Sequence, residues 1–282
     1  MRFEARAFAA VVSVCFAIGC SDNLTHEDNH GAYDAGGGGG LSCLPNLDGR
    51  IDASEIATVY SMPISYLISP PGVTRPVDLA GKPGDDGNPA WDFGTDYADD
   101  KTLTITAETL SGKWYEGSFP NGQFTTPLDA AHTLDAVYAS GGDGVDLLGY
   151  ASVEQAPAAG ETLIVYAQPV LVLKLPLTVG TSWTSTGNYS DAMFDGLPVA
   201  GTDTYEFADV AAGTLTLTSL QFTQAHRLTS HLTTMPAVGA PTSTRQTSFY
   251  FECFGEVARA TSQPGETNDD FTTAAELRRL GP

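Results

Sequence analysis

The chain has 282 residues, 42% of them hydrophobic and 10% aromatic, which is enough apolar side chain for a packed core. Thirteen Lys and Arg against 34 Asp and Glu leave a net charge of −21. That sign excludes nucleic-acid binding, which needs cations to displace the counterions of phosphates, and it disfavours an acidic membrane face.

Arg2 and Arg6 open the chain, and residues 7–19 form an apolar run. The run is too short to cross a bilayer as a helix and suits the core of a signal peptide. It ends in Ala17-Ile18-Gly19-Cys20. Small and apolar residues followed by Cys resemble a bacterial lipobox. The resemblance implies a signal peptide over 1–19, cleavage before Cys20, acylation of Cys20 and a membrane attachment through that lipid. An ordinary secretory signal cut nearby is the alternative, and it also exports the chain. Two or more acyl chains, at about 0.8 kcal/mol per buried methylene, make such anchoring effectively permanent. Asp22 stands one place too late to act as the inner-membrane retention signal, so the expected location is the cell envelope at the outer membrane. Without residues 1–19, which hold Arg2, Arg6 and Glu4, the net charge is about −22.

Residues 20–42 carry no periodicity and end in a run of five glycines before Leu41. They read as a flexible tether spanning about 25 Å on average. His26-Glu27-Asp28-Asn29-His30 within it matches the HExxH zinc-protease pattern. That pattern needs both His on one helical face, and Asp28, Asn29, Gly31 and the glycine run oppose a helix. A chance match in a tether is the better reading.

The β domain is expected over 43–282. It opens with CLPNLDGRIDASEI, residues 43–56. Aligned on Gly49, Asn46, Asp48, Asp52 and Glu55 fall on ligand positions of a calcium-binding EF-hand loop, but Leu44 takes the first position and cannot ligate. A capped helical turn explains the same residues: Asp52 as N-cap, Glu55 at N3, and Ile51 and Ile56 as a hydrophobic staple. Thr58-Val59-Tyr60 after it favours a strand.

The acidic stretch 84–100 offers Asp85, Asp86, Asp92, Asp96, Asp99 and Asp100 in a Gly-rich loop. Its readings are a solvated loop, held to the domain by Trp91 and Phe93, or a structural calcium site on Asp85, Asp86, Asp92 and Asp96. No other cofactor is expected. Leu103, Ile105 and Ala107 alternate with threonines as a half-buried strand. His132 stands alone in a loop-like stretch.

Turns are read at Pro120-Asn121-Gly122, at 141–144 and at Ala211-Ala212-Gly213. Val145, Leu147, Gly149, Ala151 and Val153 share one parity. Tyr166 to Leu175 is an apolar run, read as a strand buried on both faces or as the lining of a lipid cavity. A parity change between Leu217 and Leu220 predicts a bulge near Ser219. His226 and His231, five apart, should point to opposite faces and so form no ligand pair.

Phe249, Phe251, Cys253 and Val257 share a parity that turns Cys253 inward, with a kink at Gly255. Four Cys are present. Cys15 leaves with the signal and Cys20 takes the lipid, so Cys43 and Cys253 are expected to form a disulfide in an oxidising compartment.

Strands at this spacing without helices between them predict an all-β, single antiparallel sandwich or half-barrel-like domain. The order of 173–183, 213–228, 249–262 and 271–280, with Phe251 running through Gly255-Glu256-Val257, is similar to uncharacterised secreted bacterial lipoproteins. More loosely it resembles the half-barrel periplasmic domains of lipoprotein carriers. The resemblance covers about 110 residues and carries no catalytic residue. The chain as a whole reads as a non-catalytic cell-envelope lipoprotein with a structural or interaction role, its partner a protein or an apolar ligand. The alternatives are a binding module for a lipid or other apolar ligand in a half-barrel cavity, and, third, an enzyme.

Overall fold

A computed structural model describes residues 43–56, 63–84 and 87–281. The strands are β1 Arg50–Ile51, β2 Pro63–Ile68, β3 Arg75–Pro76, β4 Lys82–Pro83, β5 Pro89–Phe93, β6 Lys101–Thr106, β7 Phe124–Pro127, β8 Leu134–Gly141 and β9 Gly144–Ser152. The second half adds β10 Leu163–Lys174, β11 Leu177–Thr178, β12 Ser182–Phe194, β13 Leu197–Leu217, β14 Gln221–Pro236, β15 Thr242–Phe251, β16 Gly255–Thr261, β17 Thr273–Ala274 and β18 Glu276–Leu280. The described helical elements are the 3-10 turns Ala53–Glu55 and Glu116–Ser118.

Alternating Thr and apolar residues place β-branched side chains on a pleated, half-buried surface, which favours strand over helix. The main sheet runs β6-β2-β18-β16-β15-β14-β13-β12-β10-β9-β8-β7, each strand antiparallel to the next. Just past β6, Glu108 and Thr125 exchange backbone hydrogen bonds of 2.9 and 2.8 Å. The two ends of the sheet therefore meet at one bridge, and the domain is all-β and half-barrel-like, a nearly closed antiparallel sheet.

Bulges decide which face each side chain takes. Tyr205 and Phe207 join the largest core cluster, whereas Leu215 and Leu217, of the same parity on the same strand, join a second one. The register shift between Asp209 and Ala211 inserts one residue and flips the face. The first cluster, with Tyr138, Leu147, Val172 and Leu228, fills the concave side. Phe249 and Tyr250 are consecutive and fall in different clusters, so the second lies on the opposite face. There β5 covers the sheet: Trp91 and Phe93 meet the Phe249 ring edge-on at 4.9 and 5.4 Å.

Several sequence expectations are corrected. Ala211-Ala212-Gly213 is no turn. It lies inside the 21-residue strand β13, where β5 pairs in parallel with Thr214–Leu217. Gly213 is required there by contact, since a Cβ would stand 2.0 Å from the Pro89 carbonyl oxygen. The parity change near Ser219 is the β13–β14 hairpin, closed by Leu217 N–H to Leu220 O. The kink at Gly255 is likewise a hairpin, Glu252-Cys253-Phe254 between Phe251 and Gly255.

The shared parity of 145–153 fails because Val137 pairs with Gly149 and Tyr138 with Leu147. Leu148 is the inserted residue, and it turns to a third cluster with Tyr115, Phe119 and Val137. The β8–β9 turn at 141–144 and the alternation of Leu103, Ile105 and Ala107 are as read. Strand β10 is buried at Val170, Val172 and Leu173 but exposed at Val165 and Ala167–Pro169, because bulges interrupt its pairing. Thr58-Val59-Tyr60 lies outside the described residues.

Residues 43–56, which clamp the start of the domain, fold as a capped turn. The Asp52 N–H donates to Glu55 Oε2 at 2.8 Å, and Ile51 and Ile56 are buried in the main cluster. The Cys43–Cys253 disulfide joins it to the β15–β16 hairpin, with Cα atoms 5.6 Å apart. Glu252 Oε2 accepts the N–H groups of Asn46 and Leu47 at 2.6 and 2.8 Å, and Cys253 N–H donates to the Glu55 carbonyl at 3.0 Å.

Candidate functional site

At the end of β12, the start of β13, the end of β14 and the start of β15, the concave side is not filled. A cavity of about 400 Å³ opens there. Its walls include Ile164, Phe194, Val199, Leu232 and Pro236, with Val238 at the mouth. Deeper along the same face the side chains close up, leaving only about 20 Å³ between Val172, Tyr205, Phe207 and Leu228.

One carboxyl sits among these apolar walls. Asp203 on β13 is 3% exposed. It shares parity with Tyr205 and Phe207, so the strand that points those rings inward also points the carboxyl inward. Its Oδ2 accepts a hydrogen bond from the Tyr166 hydroxyl at 2.6 Å and its Oδ1 one from Thr234 Oγ1 at 2.7 Å. Tyr166 reaches it across β12 because residue 187 is Gly. A Cβ there would stand 2.5 Å from the tyrosine ring.

Burial holds the Asp203 carboxyl above its usual range, against the two hydrogen bonds, which favour the charged form. The phenols of Tyr150, Tyr166 and Tyr205 are pushed well up by desolvation, with the Asp203 charge acting in the same direction. Tyr189 is pushed up to about 12 for the same reasons. At neutral pH all four are neutral hydroxyls. Those of Tyr150 and Tyr189, both at the cavity, have no hydrogen-bond partner among the described residues. The site can therefore hold an apolar body and satisfy one polar end.

The residues singled out from sequence lie elsewhere. Cys20, the HExxH match at His26 and His30, and Asp85 and Asp86 fall outside the described residues. Asp92 is exposed and accepts the Gly94 N–H at 2.9 Å, and Asp96 is exposed. Asp99 and Asp100 serve as anion partners. Arg75 reaches them at 2.6 and 2.8 Å, and Arg279 also pairs with Asp100. In the clamp, Asn46 accepts from Asp48 N–H, Asp48 from Arg50 N–H, Asp52 pairs with Arg50, and Glu55 accepts from Asn46 and Asp52. Among the described residues no three His, Cys, Asp or Glu side chains are placed to hold a metal ion.

His226 is buried, with Nδ1 2.7 Å from Asp209 Oδ2, and its other nitrogen meets no hydroxyl among the described residues. Burial raises the Asp209 carboxyl while His226 opposes the shift. His231 pairs with Glu206 at 3.1 Å. The two histidines sit five residues apart on a stretch of β14 that pairs without interruption against β15, so they face opposite ways. His132 contacts Asp135 at 3.0 Å.

Sequence reasoning missed Asp203 and its tyrosines. The available signal was a lone Asp at an inward position of the alternating stretch 203–207. Comparison with family models, with curated proteins and with solved structures gives no match to this chain.

Proposed function

We propose that this chain is a lipid-anchored cell-envelope protein, held at the outer membrane through Cys20, whose half-barrel domain binds an apolar ligand and performs no chemistry on it. The observation that carries the reading is the cavity of about 400 Å³ at the open end of the sheet. Small-molecule sites occupy about 300–1,000 Å³ and pair mostly apolar walls with a few placed polar groups. Here Asp203, Tyr150 and Tyr189 are those groups. A purely structural or interaction-forming sheet gains nothing from leaving such a volume unfilled, since voids forfeit packing contacts. The lipobox at 17–20 and the tether over 20–42 support the anchoring.

The test is native mass spectrometry of the full chain purified from its own envelope. The wild type should carry a bound small molecule. Val199→Trp, which puts an indole into the cavity, should lose it while melting as the wild type does. A wild type that arrives empty and binds no amphiphile returns the domain to a structural role.

A further inference from the structure

We infer that the ligand is an amphiphile with a cationic head, an alkylammonium compound, seated with its charge on Asp203. This rests on the pocket reading above and adds the chemistry of the head group. Asp203 lines the cavity, and the side chains that hydrogen-bond its carboxyl among the described residues, Tyr166 and Thr234, are both neutral. Among the described residues no Lys, Arg or His lines the cavity. The carboxyl thus faces an apolar space with no counter-cation.

A carboxylate in such surroundings is costly unless it is paired, and two neutral donors offset only part of the cost. A ligand ammonium supplies the missing charge, and charge-assisted hydrogen bonds are roughly twice as strong as neutral ones. The surrounding rings agree with this sign. Tyr166 stands between Tyr150 and Tyr189, with centroids 6.5 and 6.2 Å apart. The face of an aromatic ring attracts a cation. A carboxylate head would meet the charge of Asp203, and an alcohol head would gain only a neutral hydrogen bond. The tail then lies along Ile164, Val199 and Leu232 towards Val238 at the mouth.

Burial raises the Asp203 carboxyl, so acid should discharge it from above the usual carboxylate range. The titratable groups facing it are the phenols of Tyr150 on β9, Tyr166 on β10, Tyr189 on β12 and Tyr205 on β13, and β14 contributes Thr234. All four phenols stay neutral below about pH 9, so the pH profile of binding should follow Asp203 alone.

The experiment is isothermal titration of the full-length protein with n-decylammonium, n-decanol and n-decanoate at neutral pH. The ammonium, like that of lysine, stays charged below about pH 9. The ammonium should bind about tenfold or more tighter than the alcohol, with the carboxylate weakest. Asp203→Asn should abolish that preference, bringing ammonium and alcohol to within about twofold of each other. Acidifying the wild type should abolish it too, and that series carries the test if the variant fails to fold. Equal binding of ammonium and alcohol, or a preference that survives both Asp203→Asn and acid, overturns the cationic head and leaves the pocket reading standing. A wild type that binds none of the three overturns both.

Discussion

Replacing both Cys43 and Cys253 by Ala releases the starting clamp from the β15–β16 hairpin. The bridge joins residues 210 apart in sequence. For a loop of that length the chain-entropy model gives about 5 kcal/mol as an upper figure, and measured native bridges deliver about 2–4 kcal/mol. The lower range applies here, because the native geometry has independent support. Ile51 is fully buried, β1 pairs with β11, and Glu252 holds the N–H groups of Asn46 and Leu47.

Urea unfolding followed by tryptophan fluorescence checks the figure. With a slope of about 2 kcal/mol/M, the midpoint should fall by about 1–2 M, and the slope should rise as the unfolded chain loses its cross-link. Glu252→Gln should cost a further ~1–2 kcal/mol in both the bridged and the Cys-free backgrounds, because its two charge-assisted bonds survive loss of the disulfide. An unchanged midpoint in the Cys-free protein would refute the loop argument. A Glu252→Gln cost that vanishes in the Cys-free background would show that the clamp undocks once the bridge is gone.

Gly213→Ala places a Cβ against the Pro89 carbonyl; it should cost about 3 kcal/mol and shift Trp91 emission to the red as β5 lifts, and unchanged emission would count against the close approach. Asp100→Ala removes the carboxylate from the buried guanidinium of Arg279 and leaves Arg75 with Asp99 alone, so denaturation should report a loss of about 3 kcal/mol, and a loss under about 1 kcal/mol would show that other groups hold Arg279. The raised Asp203 carboxyl contributes stability that is fully present below its unfolded pKa and is lost as pH rises through its folded one. Melting temperatures from about pH 4 to 7 should therefore move in favour of Asp203→Asn relative to wild type, and movement the other way would refute the assignment. Chelator should leave the wild-type melting temperature unchanged, because the oxygens of Asn46, Asp48 and Glu55 are already hydrogen-bonded; a rise with added calcium that Glu55→Ala abolishes would favour the calcium reading of that loop instead.

The sequence by itself determined the β class, the pairing of Cys43 with Cys253, the capped turn at Asp52–Glu55, the hairpin at 141–144 and the opposed histidines of β14. Each of these rests on local chemistry: alternation, turn residues, a cap three residues long, or an even count of cysteines. Faces and turns beyond that range were decided by pairing. Whether Leu148 or Leu147 points inward depends on a bulge set by β8, and whether Gly213 turns or continues depends on β5 arriving alongside it. The cavity belongs to the same class. Tyr150, Tyr166, Tyr189, Asp203 and Thr234 come from five strands, and each reads alone as an ordinary strand residue. Only the register that aligns those strands, and the Gly187 that lets Tyr166 cross one of them, joins Tyr166 and Thr234 to Asp203 and sets Tyr150 and Tyr189 on the same cavity.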